Sequence, residues 1–296
     1  MIRNSKRTKK PPSKIRDPEL DEPQESNRNR HEPEPCANYP QRMKLEIANG
    51  VILIGSDGHY VPDQSAPTAH RAFVRFAKTI SNLQAVVYNG DAFDFASISR
   101  FGRRMWDQQH LIARELEAVD QRLHEIELAT ERGVPMFYTI ANHDLRFETK
   151  LSNSVPAFEG VRGFRLNDHI GDRWQMGWSV WVNGGELVIK HRFKNGVHAS
   201  HNSTLWAGKN ICIGHLHSLK VTPFSDYTST RYGIDCGTLA DPYSEQFCYN
   251  EDNSRNHRSG FVVLTFVNGR LLLPEIVQVY DEAKGLVQWR GEILQI

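Results

Sequence analysis

The chain lacks an excess of charge of either sign. Across 296 residues, 36 Lys and Arg stand against 35 Asp and Glu, a formal net charge of +1. That balance excludes a chain drawn as a whole to nucleic acid or to a membrane surface. Cysteine is scarce: Cys36, Cys212, Cys236 and Cys248 are the full set, and none forms a C-x-x-C pair. A cysteine-built zinc site is therefore excluded, and reduced thiols are expected. No apolar run approaches bilayer length, and no signal-peptide core follows Met1. The expectation is a soluble cytoplasmic chain with no membrane partner.

What is present is a globular composition, 39% hydrophobic, with 13 histidines. Several of these stand beside Asp or Asn. Residues 1–42 are expected to be a disordered charged tail, with seven prolines and few large apolar side chains. Residues 3–16 carry seven Lys or Arg and no acid, while acids dominate 17–34. A solvated tail is the first reading, and a basic arm for nucleic acid is the second. Residues 43–296 are expected to form one domain.

The first half of that domain alternates strand and helix. Segments 45–48 and 51–54 flank Asn49-Gly50, a hairpin signal. Residues 66–80 carry Ala69, Phe73, Phe76 and Ile80 at helical spacing, and 108–132 carry Ile112, Leu116, Val119, Leu123 and Ile126. Strands are predicted at 85–88 and 135–140. In the second half, 178–182, 186–190, 211–213, 219–224, 227–234, 261–267 and 271–280 read as strands of a second, mostly antiparallel sheet. Gly184-Gly185 and Asn268-Gly269 supply turns. Segments 150–177 and 241–258 read as loop-rich insertions. The fold class is α/β, with two sheets and helices outside them.

Five short motifs follow predicted strands: Asp57-Gly58-His59, Gly90-Asp91-Ala92-Phe93-Asp94, Asn142-His143-Asp144, His191, and Gly214-His215-Leu216-His217. Strand carboxyl ends are where ligands gather in α/β sheets. Imidazole with carboxylate oxygen suits Mn, Fe, Co, Ni or Zn better than Ca or Mg. Two such ions can clamp both oxygens of an in-line displacement and activate a water between them.

In that order the five motifs resemble the calcineurin-like metallophosphoesterase superfamily, and the overall pattern is similar to bacterial and phage phosphoesterases. The resemblance covers about 51–267. It implies a four-layer αββα sandwich of two mixed β-sheets flanked by helices. It also implies two divalent metal ions, manganese favoured, and hydrolysis of a phosphoester by a hydroxide bridging them. Asp57, His59 and His217 would hold the first ion, Asp91 would bridge, and Asn142, His191 and His215 would hold the second. His143 would be catalytic, with Asp94 as its carboxylate partner. Ala141 stands where Gly is usual, and Arg192 follows His191 where Gly is common.

Some assignments stay open at this stage. His198 and His201 rival His191. Arg192, Arg100, Arg103 and Arg104 are candidates to meet a phosphate. Trp174, Trp178 and Trp181 read as core and sheet face before they read as a base-stacking platform. The protein-phosphatase branch carries Arg after its second motif and Glu at the end of its third, whereas Phe95 and Asp144 stand here. A phosphodiester of nucleic acid or nucleotide is the favoured substrate. Phosphatase activity and a silent binding module are the alternatives, and the oligomeric state is open.

Overall fold

The computed structural model describes residues 39–100, 109–244, 246–247 and 256–296. Among them fifteen strands form two sheets. From the amino end come β1 (Met43–Leu45), β2 (Gly50–Gly55), helix α1 (Thr68–Thr79), β3 (Leu83–Tyr88), α2 (Ile112–Ala129) and β4 (Met136–Thr139). Strands β2, β3 and β4 are parallel neighbours, so each helix is a crossover on one sheet face. The predicted helical faces are the buried ones. Phe73, Phe76, Val119, Leu123 and Ile126 lie against that sheet in one apolar cluster. Truncating the fully buried Phe73 to Ala would cost about 3–5 kcal/mol. The amino end of α1 has no side-chain cap of its own. The Thr68 N–H is instead accepted by Glu282 at 2.6 Å, which ties the helix to the far end of the chain.

Helix α3 (Leu145–Ser154), β5 (Trp174–Gly177), β6 (Val180–Val182), β7 (Leu187–Ile189), α4 (Ala199–Ala207), β8 (Asn210–Ile213), β9 (Lys220–Ser225) and β10 (Thr230–Asp235) follow. The chain closes with β11 (Gly260–Val267), β12 (Arg270–Leu271), β13 (Glu275–Asp281), β14 (Leu286–Trp289) and β15 (Glu292–Gln295). The larger sheet runs β15-β14-β13-β11-β2-β3-β4-β5, with β12 beside β11. The smaller runs β1-β6-β7-β8-β10-β9. Both mix parallel and antiparallel pairs. Their inner faces close on a second apolar cluster that includes Ile52, Ile54, Val87 and Val262 from one sheet and Val180, Ile189, Cys212 and Ile234 from the other. Helix α4 covers the outer face of the smaller sheet through Ala199, packed with Val188, Ile211 and Ile213. The layers are therefore helix, sheet, sheet, helix.

Four sequence-based expectations are corrected. Asn49-Gly50 does not make a hairpin, because β1 pairs with β6 in the smaller sheet while β2 lies in the larger. The crossing is held by Asn183, whose amide donates to Ile47 O at 2.7 Å and whose Oδ1 accepts from Ile47 N at 2.7 Å. The second half does not form a sheet of its own. Strands β11 to β15 extend the first sheet, since the apolar run 261–264 is buried beside β2. The smaller sheet is not mostly antiparallel, because β8 lies parallel to both β7 and β10. Segment 150–177 ends in a strand, β5, that pairs with β4. The Gly184-Gly185 and Asn268-Gly269 turns do join antiparallel neighbours.

Of the tail expected over 1–42, residues up to 38 lie outside the described residues, as do Arg103, Arg104, Cys36 and Cys248. Tyr39 is buried, and Pro40 O accepts the Trp178 N–H at 3.0 Å. Cys212 and Cys236 are buried and free. No helix among the described residues is long and apolar enough to cross a membrane.

Candidate metal centre

Strands β2, β3, β4, β7 and β8 all end at one edge of the sandwich. The five motifs occupy the turns just beyond them. The turns after β2 and β3 run side by side, with Asp57 N donating to Gly90 O at 2.9 Å and His59 N to Asp91 O at 3.1 Å. Asp57, His59, Asp91, His215 and His217 all have positive φ, between 40° and 72°. Left-handed backbone costs about 1–2 kcal/mol for each non-glycine residue. Here it turns successive polar side chains toward one another, and such strain gathers at functional sites. Gly90, at φ 80°, admits no side chain: a Cβ would lie 2.4 Å from Ala141 Cβ. A Cβ at Gly214 would lie 2.7 Å from Asp57 Oδ2.

Three groups of His and Asp that can hold a metal ion result: Asp57, His59 and His217; Asp91, His191 and His215; and His59, Asp94 and His143. In each, ligand atoms lie within 4.8 Å of one another. His217 Nε2 is 3.1 Å from Asp57 Oδ1 and 3.3 Å from His59 Nε2. Asp57 Oδ2 accepts the His215 N–H at 2.9 Å. Asp91 Oδ1 accepts the His143 N–H at 2.8 Å, and Asp91 Oδ2 lies 3.0 Å from His191 Nε2.

The tautomer of His191 follows from its neighbours. Its Nδ1–H donates to Asn89 O at 2.7 Å, so the neutral ring turns a lone pair at Nε2 toward Asp91 Oδ2. Two acceptors then face each other unless a proton or a cation lies between them. His191 Nε2, His217 Nδ1, His59 Nδ1 and Asn142 Oδ1 are buried without a hydrogen-bond partner among the described residues. Unpaired buried polar atoms are costly, and a cation drawn to this all-nitrogen-and-oxygen set would satisfy several at once. The residues present therefore fit divalent metal.

Electrostatics point the same way. Burial would raise the carboxyl of Asp57, yet His217 and His191 outweigh it and hold it well below its usual range. Asp91 is likewise pulled down, chiefly by His191 and His143 against burial. Burial would lower His59 and His191, but the facing carboxylates lift both to about 10. Without metal, this cluster gathers protons where it would otherwise hold a cation. His215 moves the other way, to about 4, through burial and the charge on His191.

His143 stands beside the cluster, its ring 4.7 Å from that of His59. Its Nδ1 lies 2.9 Å from Asp94 Oδ1, and its Nε2 lies 3.2 Å from Arg146 Nη2. Arg146 Nη1 also donates to Asp94 O at 2.6 Å.

Several supporting residues were not among the predicted site residues. Arg146 sits three places beyond His143, on the first turn of α3, and that spacing was its only signal. Asn89 orients His191 and is itself anchored by the Thr139 hydroxyl, which donates to its Oδ1 at 2.7 Å. Buried Asp144 accepts the Ala141 and Asp91 N–H groups at 3.0 and 3.2 Å. Burial and the neighbouring Asp91 push its carboxyl up to about 7. Asp235 accepts the Ser218 hydroxyl at 2.6 Å and fixes the turn behind His217.

The rival histidines lie elsewhere. His198 is exposed at the start of α4, and His201 packs its ring 5.7 Å from Phe224. Arg192 is exposed, and its charge helps to lower His215. Arg100 is exposed at the end of the segment that follows the second motif. Trp174 is buried in the core, whereas Trp181 lies on the outer face of the smaller sheet beside α4. Phe95 is fully buried, its ring stacked 4.7 Å from that of Phe93.

No protein-family model matches the chain, and no curated protein matches it. Solved structures do. A single mutant of Vps29 from Entamoeba histolytica is 13% identical, covers 83% of this chain and 99% of its own, and gives a TM-score of 0.42. Vps29 from Chaetomium thermophilum is 9% identical, covers 82% and 96%, and gives 0.43. The Thermotoga maritima protein TM1076 is 12% identical, covers 78% and 99%, and gives 0.34. At such identities and scores these likenesses decide nothing about the chemistry of this chain.

Proposed function

We propose that the chain is a metal-dependent phosphoesterase that uses two divalent ions, manganese favoured, and prefers phosphodiesters. One observation carries this reading. Asp57 and Asp91 each face imidazole nitrogens in a buried cluster at the strand ends, with the less buried His143–Asp94 pair beside it. Asp57, His59 and His217 would hold one ion and Asn142, His191 and His215 the other, with Asp91 between them. When bound, such ions supply positive charge to phosphoryl oxygens and acidify water.

The chain's own groups do the rest. Asp94 accepts the Nδ1–H of His143 and holds the ring with Nε2 turned to Arg146. In its protonated form His143 gives the Nε2 proton to the leaving oxygen as the P–O bond breaks. Arg146 stands at that same nitrogen. An arriving phosphate would draw its guanidinium away to a non-bridging oxygen, which frees Nε2 for the leaving group. The protein-phosphatase branch of the resembled superfamily carries Arg after its second motif, where buried Phe95 stands here, and this argues against that branch. Nucleic acid or a nucleotide fits the phosphodiester class, and a cytoplasmic setting would supply both.

The test is manganese-supported hydrolysis of an aryl phosphodiester beside the matching monoester, with Asp91→Asn as control. Diester cleavage that vanishes in the variant is expected. Preferred monoester cleavage would make the protein a phosphatase. Bound metal with no cleavage of either would leave a binding module and end the catalytic reading.

A further inference from the structure

The outer face of the smaller sheet carries a second feature. Residues 187–225 supply β7, α4, β8 and β9 together with His191, His215 and His217. They contain five cations, Lys190, Arg192, Lys194, Lys209 and Lys220, and no Asp or Glu. In a chain of 36 cations and 35 acids, this is a local separation of charge. It lies beside the metal-ligand candidates, since Lys190 and Arg192 flank His191.

Large rings are interleaved with these cations. Trp206, on the last turn of α4, is 70% exposed, and Phe193 is 38% exposed. Lys194 Nζ lies 4.1 Å from the Trp206 ring centre and 5.6 Å from that of Phe193. Lys190 Nζ lies 5.2 Å from Phe193. Farther along the face, Arg42 stacks 4.2 Å over Trp181, with Lys209 6.0 Å from the same ring. The nearest acids in sequence are engaged: Glu186 Oε1 by Asn210 Nδ2 at 3.3 Å, and Asp226 by Arg231. Trp206 keeps most of its surface exposed with Lys194 beside its ring, so an aromatic surface and a cation are presented together to a ligand.

We propose that this strip, which starts at Lys190 beside His191 and crosses Phe193, Lys194 and Trp206, binds single-stranded polynucleotide, with bases stacked on the rings and phosphates on the lysines. The cations match a phosphate backbone. The exposed ring faces need unpaired bases, which a duplex does not offer. As a guide for substrate the strip rests on the phosphoesterase reading above. Its affinity for bases does not.

The experiment is fluorescence anisotropy of a labelled oligothymidylate with the full chain in chelator, so that nothing is cleaved. The unsubstituted protein should bind, and log K should fall linearly with log salt. Trp206→Ala should weaken binding about tenfold, the effect of losing one stacked base, and Trp206→Phe should restore most of it. Lys194→Gln should reduce the salt slope. Hydrolysis of the aryl diester with metal should be unchanged in all three variants. Absence of oligothymidylate binding at low salt would overturn the strip. So would an equal effect of Trp206→Ala on base-free polyphosphate, equal binding of duplex DNA, or equal binding of polyglutamate, which would indicate an acidic protein partner. Aryl hydrolysis without oligonucleotide binding sinks the strip alone. Oligonucleotide binding without any phosphoester hydrolysis sinks the catalytic reading alone.

Discussion

His143 is held between an acid and a base: its Nδ1 lies 2.9 Å from Asp94 Oδ1, and its Nε2 lies 3.2 Å from Arg146 Nη2. Removing the ring should lower kcat by about 10²–10⁴-fold, the usual reach of a positioned general acid. His143→Ala should keep both metals. Asp94→Asn should lose less, because Asp94 O also accepts from Nδ1, at 3.1 Å. Arg146→Gln should act mainly on KM. Metal analysis of purified His143→Ala is the check, and an emptied site would show that His143 is a ligand.

Asp91→Asn keeps the shape of the side chain and removes its charge. Both oxygens of Asp91 are engaged, one by the His143 N–H and the other facing His191. Activity should fall below detection, with metal content reduced in the same preparation. Full metal occupancy with lost activity would place Asp91 outside the ligand set.

His191 is buried and orients its ring on Asn89, while His198 is exposed and His201 packs on Phe224. His191→Ala should therefore weaken metal binding, whereas His198→Ala and His201→Ala should leave it unchanged. Isothermal titration of the chelated proteins with manganese separates these cases.

Metal should also change how stability depends on pH. Without metal, His59 and His191 are lifted from 6.5 to about 10 by facing carboxylates. A raised histidine contributes stability that is fully present below 6.5 and lost as pH rises through about 10. The chelated protein should lose melting temperature across that window. Manganese should replace the protons, release them to solvent, and flatten the loss, with about 2.7 kcal/mol of added stability at a hundredfold excess over Kd. Melting curves between pH 6 and 10, with and without metal, test this. Parallel curves would mean that no cation enters the cluster.

Glu115 is buried on α2 and accepts the Phe95 N–H at 2.7 Å, behind the turn that carries Asp94. Burial first, then the charge on Asp94, push its carboxyl up from 4.5 to about 7. Such an acid prefers its proton in the folded state, so its contribution is present below 4.5 and lost as pH rises through about 7. Glu115→Gln should be more stable than the unsubstituted protein at pH 8, by about 1–3 kcal/mol, with the advantage vanishing at pH 4.5. An equal difference at both values would show that folding does not raise the Glu115 carboxyl.

The long helices were legible because each buries one face. The spacing of Phe73, Phe76, Val119, Leu123 and Ile126 is that face. Helices α3 and α4 were not: Leu145–Ser154 is short and buries only Phe147, and Ala199–Ala207 buries Ala, Ser and Thr side chains in place of large apolar ones. Strands β14 and β15 are half-exposed at the sheet edge and escaped for the same reason. Asn49-Gly50 misled because a turn signal reports local backbone preference. Sheet membership is decided by partners far along the chain, here Val180–Val182 for β1 and Gly260–Val267 for β2.

By itself the sequence determined the chemistry available: seven nitrogen- and oxygen-bearing ligand candidates, in order, each just beyond an apolar strand. It could do so because strand runs and polar motifs are local. Only the tertiary structure decided how those groups meet. It chose which imidazole nitrogen of His191 faces Asp91, through an Asn89 carbonyl 102 residues away. It put Arg146, rather than an arginine after the second or fourth motif, on His143 Nε2. It also laid Trp206 and Lys194 side by side on an outer face. These are choices of partner across long loops, made by packing and hydrogen-bond satisfaction, and no local pattern encodes them.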